Sequence, residues 1–439
     1  MQKIYKQPRI EIERFGLEAI PIEQKQTNWF EYAGIQLAFS VNTGNVLVPA
    51  LAVLTGGLSV GWAIASTILG AAAAFLLVSL LSLPGARYGL PAQFVIRTMI
   101  GTKLSRYFAS PIRSLTSLYW FSVQTIGGSV VFISLLTPLT GVSIPLWLLA
   151  PILAAGMAFL ALIGFDAVKK AAKWFLPLLF LGQAAMIYLI LTYSFSASAS
   201  IMETGSFQMS SFFFFSSLAF VQYVSGVSAS SDMTRYAASP GQAFWGVLAG
   251  NVSGFIITAF LGAFYAAALG SLNPFAAAGE LTDSYLLLLL IATGALVSMI
   301  SINLSNAYTG GYSLLNAFPV LGRVKSAVIF GAAATALSLF PVIVEQAEQF
   351  ISLLGAAVIP LSSIIVFDFI FIKKTRILDG DLILLSAGKN LVNAEALQTA
   401  IIFIPIYLLV PSSLSPGFIV FVLAGITYTA MKFIKGKSR

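Results

Sequence analysis

The chain has 439 residues, of which 58% are hydrophobic and only 9% are charged, whereas a soluble domain carries roughly 25% charged residues. This composition excludes a soluble fold, and most of the chain must face lipid. The sequence has no cysteine and no histidine, which excludes disulfides, thiolate nucleophiles, Cys/His metal sites and imidazole proton relays. The remaining carboxylates do not cluster, so we predict that the protein is not an enzyme and uses no cofactor.

The first 27 residues are polar and charged and contain no apolar core of a signal peptide. We therefore expect no cleaved signal peptide, and a tail over 1–27 that precedes the first span. A transmembrane helix needs about 20 mostly apolar residues. Twelve segments satisfy this condition: 28–53, 58–82, 114–137, 145–165, 171–195, 209–237, 242–270, 285–318, 325–343, 349–372, 396–411 and 415–434. The sixth and eighth are long and rich in small polar residues, so we expect both to bend or break.

The positive charges support the count of twelve helices. All 24 Lys and Arg residues lie before the first span, in the even-numbered loops or at the span ends beside them, or at or beyond the end of the last span. The positive-inside rule then predicts the cytoplasmic membrane, with both termini, including residues 435–439, in the cytoplasm. Basic loops facing an anionic leaflet explain the high pI without nucleic-acid binding. The loop 83–113 mixes basic and apolar residues, and we predict a helix along the membrane interface there.

Two spans carry polar runs that are poor helix formers. The first contains AFSVNTGNVLVP and the sixth contains YVSGVSASSDMTRY. Serine and asparagine side chains compete with the helical hydrogen bonds. The two runs lie five spans apart, so a repeat of five helices would place them in inverted copies, as in transporters with discontinuous helices around a binding site. Close helix packing through small residues is the alternative interpretation.

Polar side chains in two other spans are candidates for ligand binding. Trp120 and Gln124 are four residues apart and share a helix face, so they suit stacking and edge recognition of a planar ligand. In the eighth span, Ser298 and Ser301 share a face and suit a hard cation such as sodium. Ordinary helix packing is the alternative for both pairs. No charged residue lies near the middle of a span, which favours an uncharged substrate and a cation held by neutral oxygens over proton transport.

Four features together resemble one known family. They are the string WFSVQTIGG at 120–128, the string YVSGVSASSDMTRY at 223–236, the string GARYGLPAQFVIR at 85–97, and twelve helices with cytoplasmic termini. With these, the chain resembles the nucleobase–cation symporters of the purine–cytosine permease branch. Many relatives have Trp where this chain has Tyr223.

The resemblance implies an all-α membrane protein of twelve transmembrane helices with a five-plus-five inverted repeat of the LeuT type. The first repeat would cover 28–195, the second 209–372, and two additional helices 396–434. The implied substrate is a nucleobase or related planar heterocycle, imported with a cation, Na⁺ in preference to H⁺. Another small neutral solute, such as a pyrimidine vitamin precursor, a hydantoin or an amino acid, is the alternative.

The resemblance also implies a set of site residues. The substrate-binding set is Trp120, Gln124, Tyr223, Ser225, Asn303 and Asn306. The cation-binding set is the carbonyls of Ala38 and Val41 with Ser298 and Ser301. Besides the substrate, the coupling cation and the lipid bilayer, no partner is implied: no nucleic acid, no obligate protein and no other metal.

Overall fold

The computed structural model describes residues 18–162, 165–196, 205–386 and 391–437, which are mostly helical. The main helices in chain order are α1 Trp29–Ser40, α2 Leu47–Leu54, α3 Val60–Leu80, α4 Ser110–Thr140, α5 Leu146–Ala161, α6 Phe165–Ser196, α7 Met209–Val224, α8 Ser230–Thr234, α9 Pro240–Leu269, α10 Tyr285–Ala317, α11 Gly322–Leu337, α12 Ala347–Phe367, α13 Ala394–Leu409 and α14 Pro416–Lys437. Shorter helices are Leu83–Tyr88, Ala92–Val95, Arg97–Ile100, Thr102–Leu104, Pro274–Gly279, Val342–Glu345 and Asp379–Ser386.

Within the described ranges, nine helical stretches are long and apolar enough to cross a membrane. Two more apolar helices, α5 and α13, are shorter. The predicted N-terminal tail lies outside the described residues over 1–17, and so do the last two residues of the chain.

Both predicted interruptions are present. Helix α1 ends at Ser40, the chain is not helical over 41–46, and α2 begins at Leu47. Helix α7 ends at Val224 and continues as a 3-10 turn, after which α8 begins at Ser230. The predicted first and sixth spans are therefore discontinuous helices.

The eighth span, expected to bend or break, is one continuous helix over Tyr285–Ala317 and does not break. Its hydroxyl groups bond to carbonyls three or four residues earlier, as Ser301 Oγ does to Val297 O at 2.8 Å. Its Asn303 amide donates instead to a neighbouring helix, to Thr125 Oγ1 at 2.9 Å. These bonds satisfy the polar side chains without opening the helical backbone.

The helices pack in an order that exchanges the two interrupted segments. Helix α1 packs against α9, while α7 packs against α3, and α10 packs between α4 and α6. The first interrupted segment thus contacts the helix that follows the second one, and the second contacts the helix that follows the first. This arrangement brings the two interruptions to the centre of the bundle.

The segment 83–113 does not form a single helix at the membrane interface. It consists of short helical pieces whose side chains are largely buried, Ile100 and Gln93 among them. Ser110 Oγ donates to Gln93 Oε1 at 2.8 Å and accepts from Asn316 Nδ2 at 2.8 Å. Because these side-chain bonds join the segment to α10, it belongs to the packed bundle.

Helix α3 approaches α7 closely at Gly70. A Cβ atom there would overlap the carbonyl oxygen of Ser216 and lie 2.7 Å from its carbon, so a side chain would push the two helices apart. We expect Gly70→Ala to destabilise the protein by about 1–3 kcal/mol, seen as a lower melting temperature in detergent. Gly61→Ala in the same helix is the control, because no atom lies within 4 Å of its added Cβ. Equal melting temperatures for the two variants would contradict this view of the contact.

Candidate functional site

The interruption of the first span is held by its own side chains. Asn42 Oδ1 accepts from the backbone N–H of Asn45 at 2.8 Å and of Gly44 at 3.0 Å. Asn45 Nδ2 donates to Ser40 O at 2.9 Å, and Thr258 Oγ1 of α9 donates to the same carbonyl at 2.8 Å. Backbone groups that lose their helical partners are thus bonded to other groups of the protein. The hydrocarbon core of a membrane requires this, because it offers no water as a partner.

A cavity of about 140 Å³ lies between the two interruptions. Pockets for drug-sized ligands measure about 300–1,000 Å³, so this one suits a small ligand. Helices α1, α3, α4, α7, α9 and α10 contribute its walls. The lining residues are Gln36, Phe39, Ser40, Asn45, Phe75, Val78, Arg113, Trp120, Gln124, Gln222, Tyr223, Ser225, Gly226, Asn251, Ile302, Ser305 and Asn306.

Both predicted aromatic residues, Trp120 and Tyr223, line this cavity and are half-buried. The Tyr223 ring packs on Phe75 with centroids 4.6 Å apart and edge-on to Phe255 at 5.2 Å. Trp120 contacts the edge of Tyr119 at 5.1 Å. The neighbouring aromatic rings contact the Trp120 and Tyr223 rings. Both side chains still line the cavity.

Gln124 also lines the cavity, but its amide is bonded to the interruption of the first span. Its Nε2 donates to Asn42 Oδ1 at 2.5 Å, and its Oε1 accepts from Gly44 N at 2.9 Å and from Thr43 Oγ1 at 3.2 Å. Gln124 therefore connects the wall of the cavity to the non-helical segment of the first span.

Three described lining residues carry a buried polar atom without a hydrogen-bond partner: Tyr223 Oη, Gln222 Oε1 and Arg113 Nε. The Gln222 side chain also donates from Nε2 to Asn45 Oδ1 at 3.0 Å. An unpaired buried polar atom costs about 1–3 kcal/mol. A ligand that offers a donor and an acceptor to these atoms would remove that cost.

The remaining substrate candidates divide between the cavity and the packing around it. Ser225 and Asn306 line the cavity. Asn303 does not: its Nδ2 donates to Phe121 O at 3.1 Å and its Oδ1 accepts from Asn306 Nδ2 at 3.3 Å. Of the two predicted asparagines, Asn306 lines the cavity and Asn303 does not.

Helices α1 and α10, which carry or adjoin the four predicted cation ligands, contact each other. Ala38 and Val41 are buried in one cluster with Val297, the neighbour of Ser298 in sequence. No hydrogen bond of the described residues uses the carbonyl oxygens of Ala38 and Val41. The hydroxyl groups of Ser298 and Ser301 donate to backbone carbonyls of their own helix. The lone pairs of these hydroxyl oxygens remain available as acceptors.

Several lining residues were missed in the sequence, among them Gln222, Asn251 and Arg113. Gln222 stands beside the predicted Tyr223, and Asn251 accepts from Ser40 Oγ at 3.0 Å; an amide in the middle of an apolar span was the available signal for both. Arg113 was assigned to a loop, although it lies in the first turn of α4 and reaches the cavity. A charged side chain therefore lines the cavity, although no charged residue lies near the middle of a predicted span.

Asp232 and Arg235, which are three residues apart, bind different partners. Asp232 Oδ1 accepts from Ala92 N at 2.8 Å, while Arg235 donates to Tyr312 Oη at 2.7 Å and to Tyr308 Oη at 3.3 Å. Asp232 thus joins α8 to the short helix Ala92–Val95. Arg235 joins the end of α8 to α10. The described residues contain no group of three or more acidic side chains that would hold a metal ion.

Solved structures share this architecture. A nucleobase-cation-symport-1 family transporter, Mhp1, in a closed conformation with bromovinylhydantoin bound, superimposes with a TM-score of 0.79 at 21% identity and covers 96% of both chains. MhsT in complex with L-phenylalanine superimposes with a TM-score of 0.62 at 14% identity, over 93% of this chain and 99% of that one. The fold is therefore all-helical and LeuT-like.

Sequence comparisons show the family. The chain is 25% identical to a hydantoin permease of Microbacterium maritypicum, over 81% of this chain and 73% of the relative. It is 24% identical to an allantoin permease of Bacillus subtilis, over 83% and 80% of the two chains. A family model described as permease for cytosine/purines, uracil, thiamine and allantoin matches residues 19–429. The predicted resemblance is confirmed: this multi-pass membrane protein belongs to the family of permeases for cytosine/purines, uracil, thiamine and allantoin, and it is a transporter rather than an enzyme.

Proposed function

We propose that this chain is a secondary active symporter that imports a nucleobase or related planar heterocycle together with Na⁺ across the cytoplasmic membrane. The observation that carries the proposal is the small cavity between two discontinuous helices, lined by Trp120 and Tyr223. Stacking on aromatic rings tolerates many planar heterocycles and supplies affinity. The buried amides supply specificity, because each one left unpaired lowers affinity.

The proposed topology has twelve spans, a five-plus-five inverted repeat and both termini in the cytoplasm. The exchanged packing of α1 on α9 and of α7 on α3 is what a two-fold relation between the repeats would produce. The shorter helices α5 and α13 and the interrupted first span would complete the count beyond the nine long stretches of the described chain. The charge separation between the loops supports the orientation.

The proposed coupling passes through the interruption of the first span. Na⁺ held by the carbonyls of Ala38 and Val41 and the hydroxyls of Ser298 and Ser301 would fix the conformation of this segment. Gln124, bonded to Gly44 and Asn42, would transmit that conformation to the substrate cavity. A cation that binds one conformation more tightly shifts the population toward it, and the substrate then meets the competent state.

We expect substrate binding to be stimulated by sodium. A thermal-shift screen of nucleobases on the purified protein, in sodium and in choline buffer, would show tighter binding in sodium. Replacing both Ser298 and Ser301 by alanine removes two of the proposed oxygen ligands, and we expect it to raise the sodium concentration at half-maximal effect by about tenfold or more. Equal ligand affinity of the wild-type protein in both buffers would contradict sodium coupling.

The control for this double variant is Ser134→Ala. Ser134 also donates to a helix carbonyl, Val131 O at 2.9 Å, but belongs to α4 and does not line the cavity. Its sodium dependence should equal that of the wild-type protein.

A further inference from the structure

The side chain of Arg113 is a charged group in a cavity otherwise lined by neutral side chains. Arg113 precedes Trp120 by seven residues on α4, about 10 Å along the helix axis. The residue is half-buried, and its side chain lines the same cavity as Trp120 and Tyr223.

The hydrogen bonds of Arg113 are long, and all their acceptors are neutral. Nη1 donates to Ser225 O at 3.4 Å and to Ser225 Oγ at 3.3 Å, and Nη2 donates to Thr309 Oγ1 at 3.3 Å. The Nε–H has no acceptor. Bonds between nitrogen and oxygen in proteins are most often 2.9–3.0 Å long, and a guanidinium offers five donors. The group thus retains the capacity to bind a stronger acceptor.

No carboxylate of the described residues forms an ion pair with Arg113. The carboxylate that acts on it electrostatically is Asp232. Asp232 accepts a bond from Ala92 N, and its charge also faces Arg235 and Arg323. Asp232 therefore acts on Arg113 electrostatically, without a direct bond to it.

A buried cation without a bonded anion is costly, and an anionic ligand is the group that offsets this cost. The planar fork of a guanidinium matches two adjacent acceptors, such as a carboxylate or a ring nitrogen beside an exocyclic oxygen. Ionisation of that ring nitrogen strengthens both bonds, because hydrogen bonds to charged groups are about twice as strong as neutral ones.

On the basis of the proposed function, we propose that the substrate is an acidic planar heterocycle. Its ring stacks between Trp120 and Tyr223, and Arg113 binds an edge that carries an ionised nitrogen or a carboxylate beside a carbonyl oxygen. Arg113 is then the residue that determines specificity for acidic over neutral rings. This proposal differs from the uncharged substrate expected from the sequence.

Two matched ligand pairs test the proposal on the purified full-length protein in sodium buffer. Barbiturate and uracil have similar single rings, and urate and hypoxanthine have similar double rings; barbiturate and urate are ionised at neutral pH, whereas uracil and hypoxanthine are neutral. We expect the wild-type protein to bind the ionised member of at least one pair about tenfold or more tightly. Dissociation constants follow from thermal shift and from tryptophan fluorescence.

Arg113→Gln should remove this preference by lowering the affinity for the ionised members by about tenfold or more. Arg113→Lys keeps the charge but lacks the fork, so it should retain part of the preference. Arg106→Gln is the matched control: Arg106 precedes Arg113 by two turns, donates to Ala317 O at 3.4 Å and does not line the cavity. This variant should keep the wild-type preference.

The outcomes separate this proposal from the proposed function. If the wild-type protein binds the neutral members as tightly as the ionised ones, Arg113 does not select acidic rings, while the nucleobase symporter remains. If it binds none of these ligands and no other nucleobase, the proposed function fails, and the acidic substrate with it. The wild-type comparison decides the matter even if a variant does not fold.

Discussion

Replacing Trp120 by alanine is expected to abolish uptake, with at most about 1% of the wild-type rate remaining. Stacking of a base on an aromatic side chain contributes about 1–3 kcal/mol, and the substitution also enlarges the cavity and leaves it open to water. Because only the wall of the cavity changes, the protein should still reach the membrane. The measurement is the initial rate of uptake of a radiolabelled heterocycle in cells, divided by the amount of protein in the membrane.

The matched control is Trp245→Ala. Trp245 belongs to α9, but its side chain is 62% exposed on the outside of the bundle. The Trp245→Ala variant should transport the substrate at the wild-type rate. Trp120→Phe keeps an aromatic face and should retain part of the activity. Uptake by Trp120→Ala at the wild-type rate would remove this residue from the substrate site and leave no basis for the stacking arrangement.

Gln124→Ala should have the second large effect, and it should change the sodium dependence as well as the rate. The wild-type amide makes three hydrogen bonds, to Asn42, Thr43 and Gly44. Alanine removes all three bonds. Gly44 N and Asn42 Oδ1 keep their bond to each other, whereas Thr43 Oγ1 loses its bond to Gln124 at a cost of about 1–3 kcal/mol. The interrupted segment then loses the contact that holds it to α4. We expect uptake to fall by about 100-fold or more and the sodium concentration needed for half-maximal binding to rise.

Two measurements on Gln124→Ala distinguish its possible roles. A loss of substrate affinity with an unchanged sodium dependence would mean that Gln124 acts only on the substrate. A change in both would support the proposed connection between the cation ligands and the cavity. Ser134→Ala, the α4 variant used in the sodium test, again serves as the control.

Several features follow from local chemistry and are readable before folding. Hydrocarbon solvent requires long apolar segments, and the basic residues between them indicate the orientation. The polar runs around Asn42 and Ser228 predicted interrupted spans correctly, because their side chains compete with helical hydrogen bonds within a few residues. Trp120 and Gln124 were expected on one face since helical periodicity alone places residues four apart together.

Other features depend on contacts between residues far apart in the chain. The amide of Gln124 was expected at the substrate, and the fold bonds it to Gly44, 80 residues away. Helix α10 stays continuous because Asn303 finds acceptors on α4. Arg113 reads as a loop residue at the edge of an apolar segment, yet α4 begins early enough for its side chain to reach the cavity. Hydropathy and periodicity describe one helix at a time, whereas the charge and shape of a binding site arise where several helices meet.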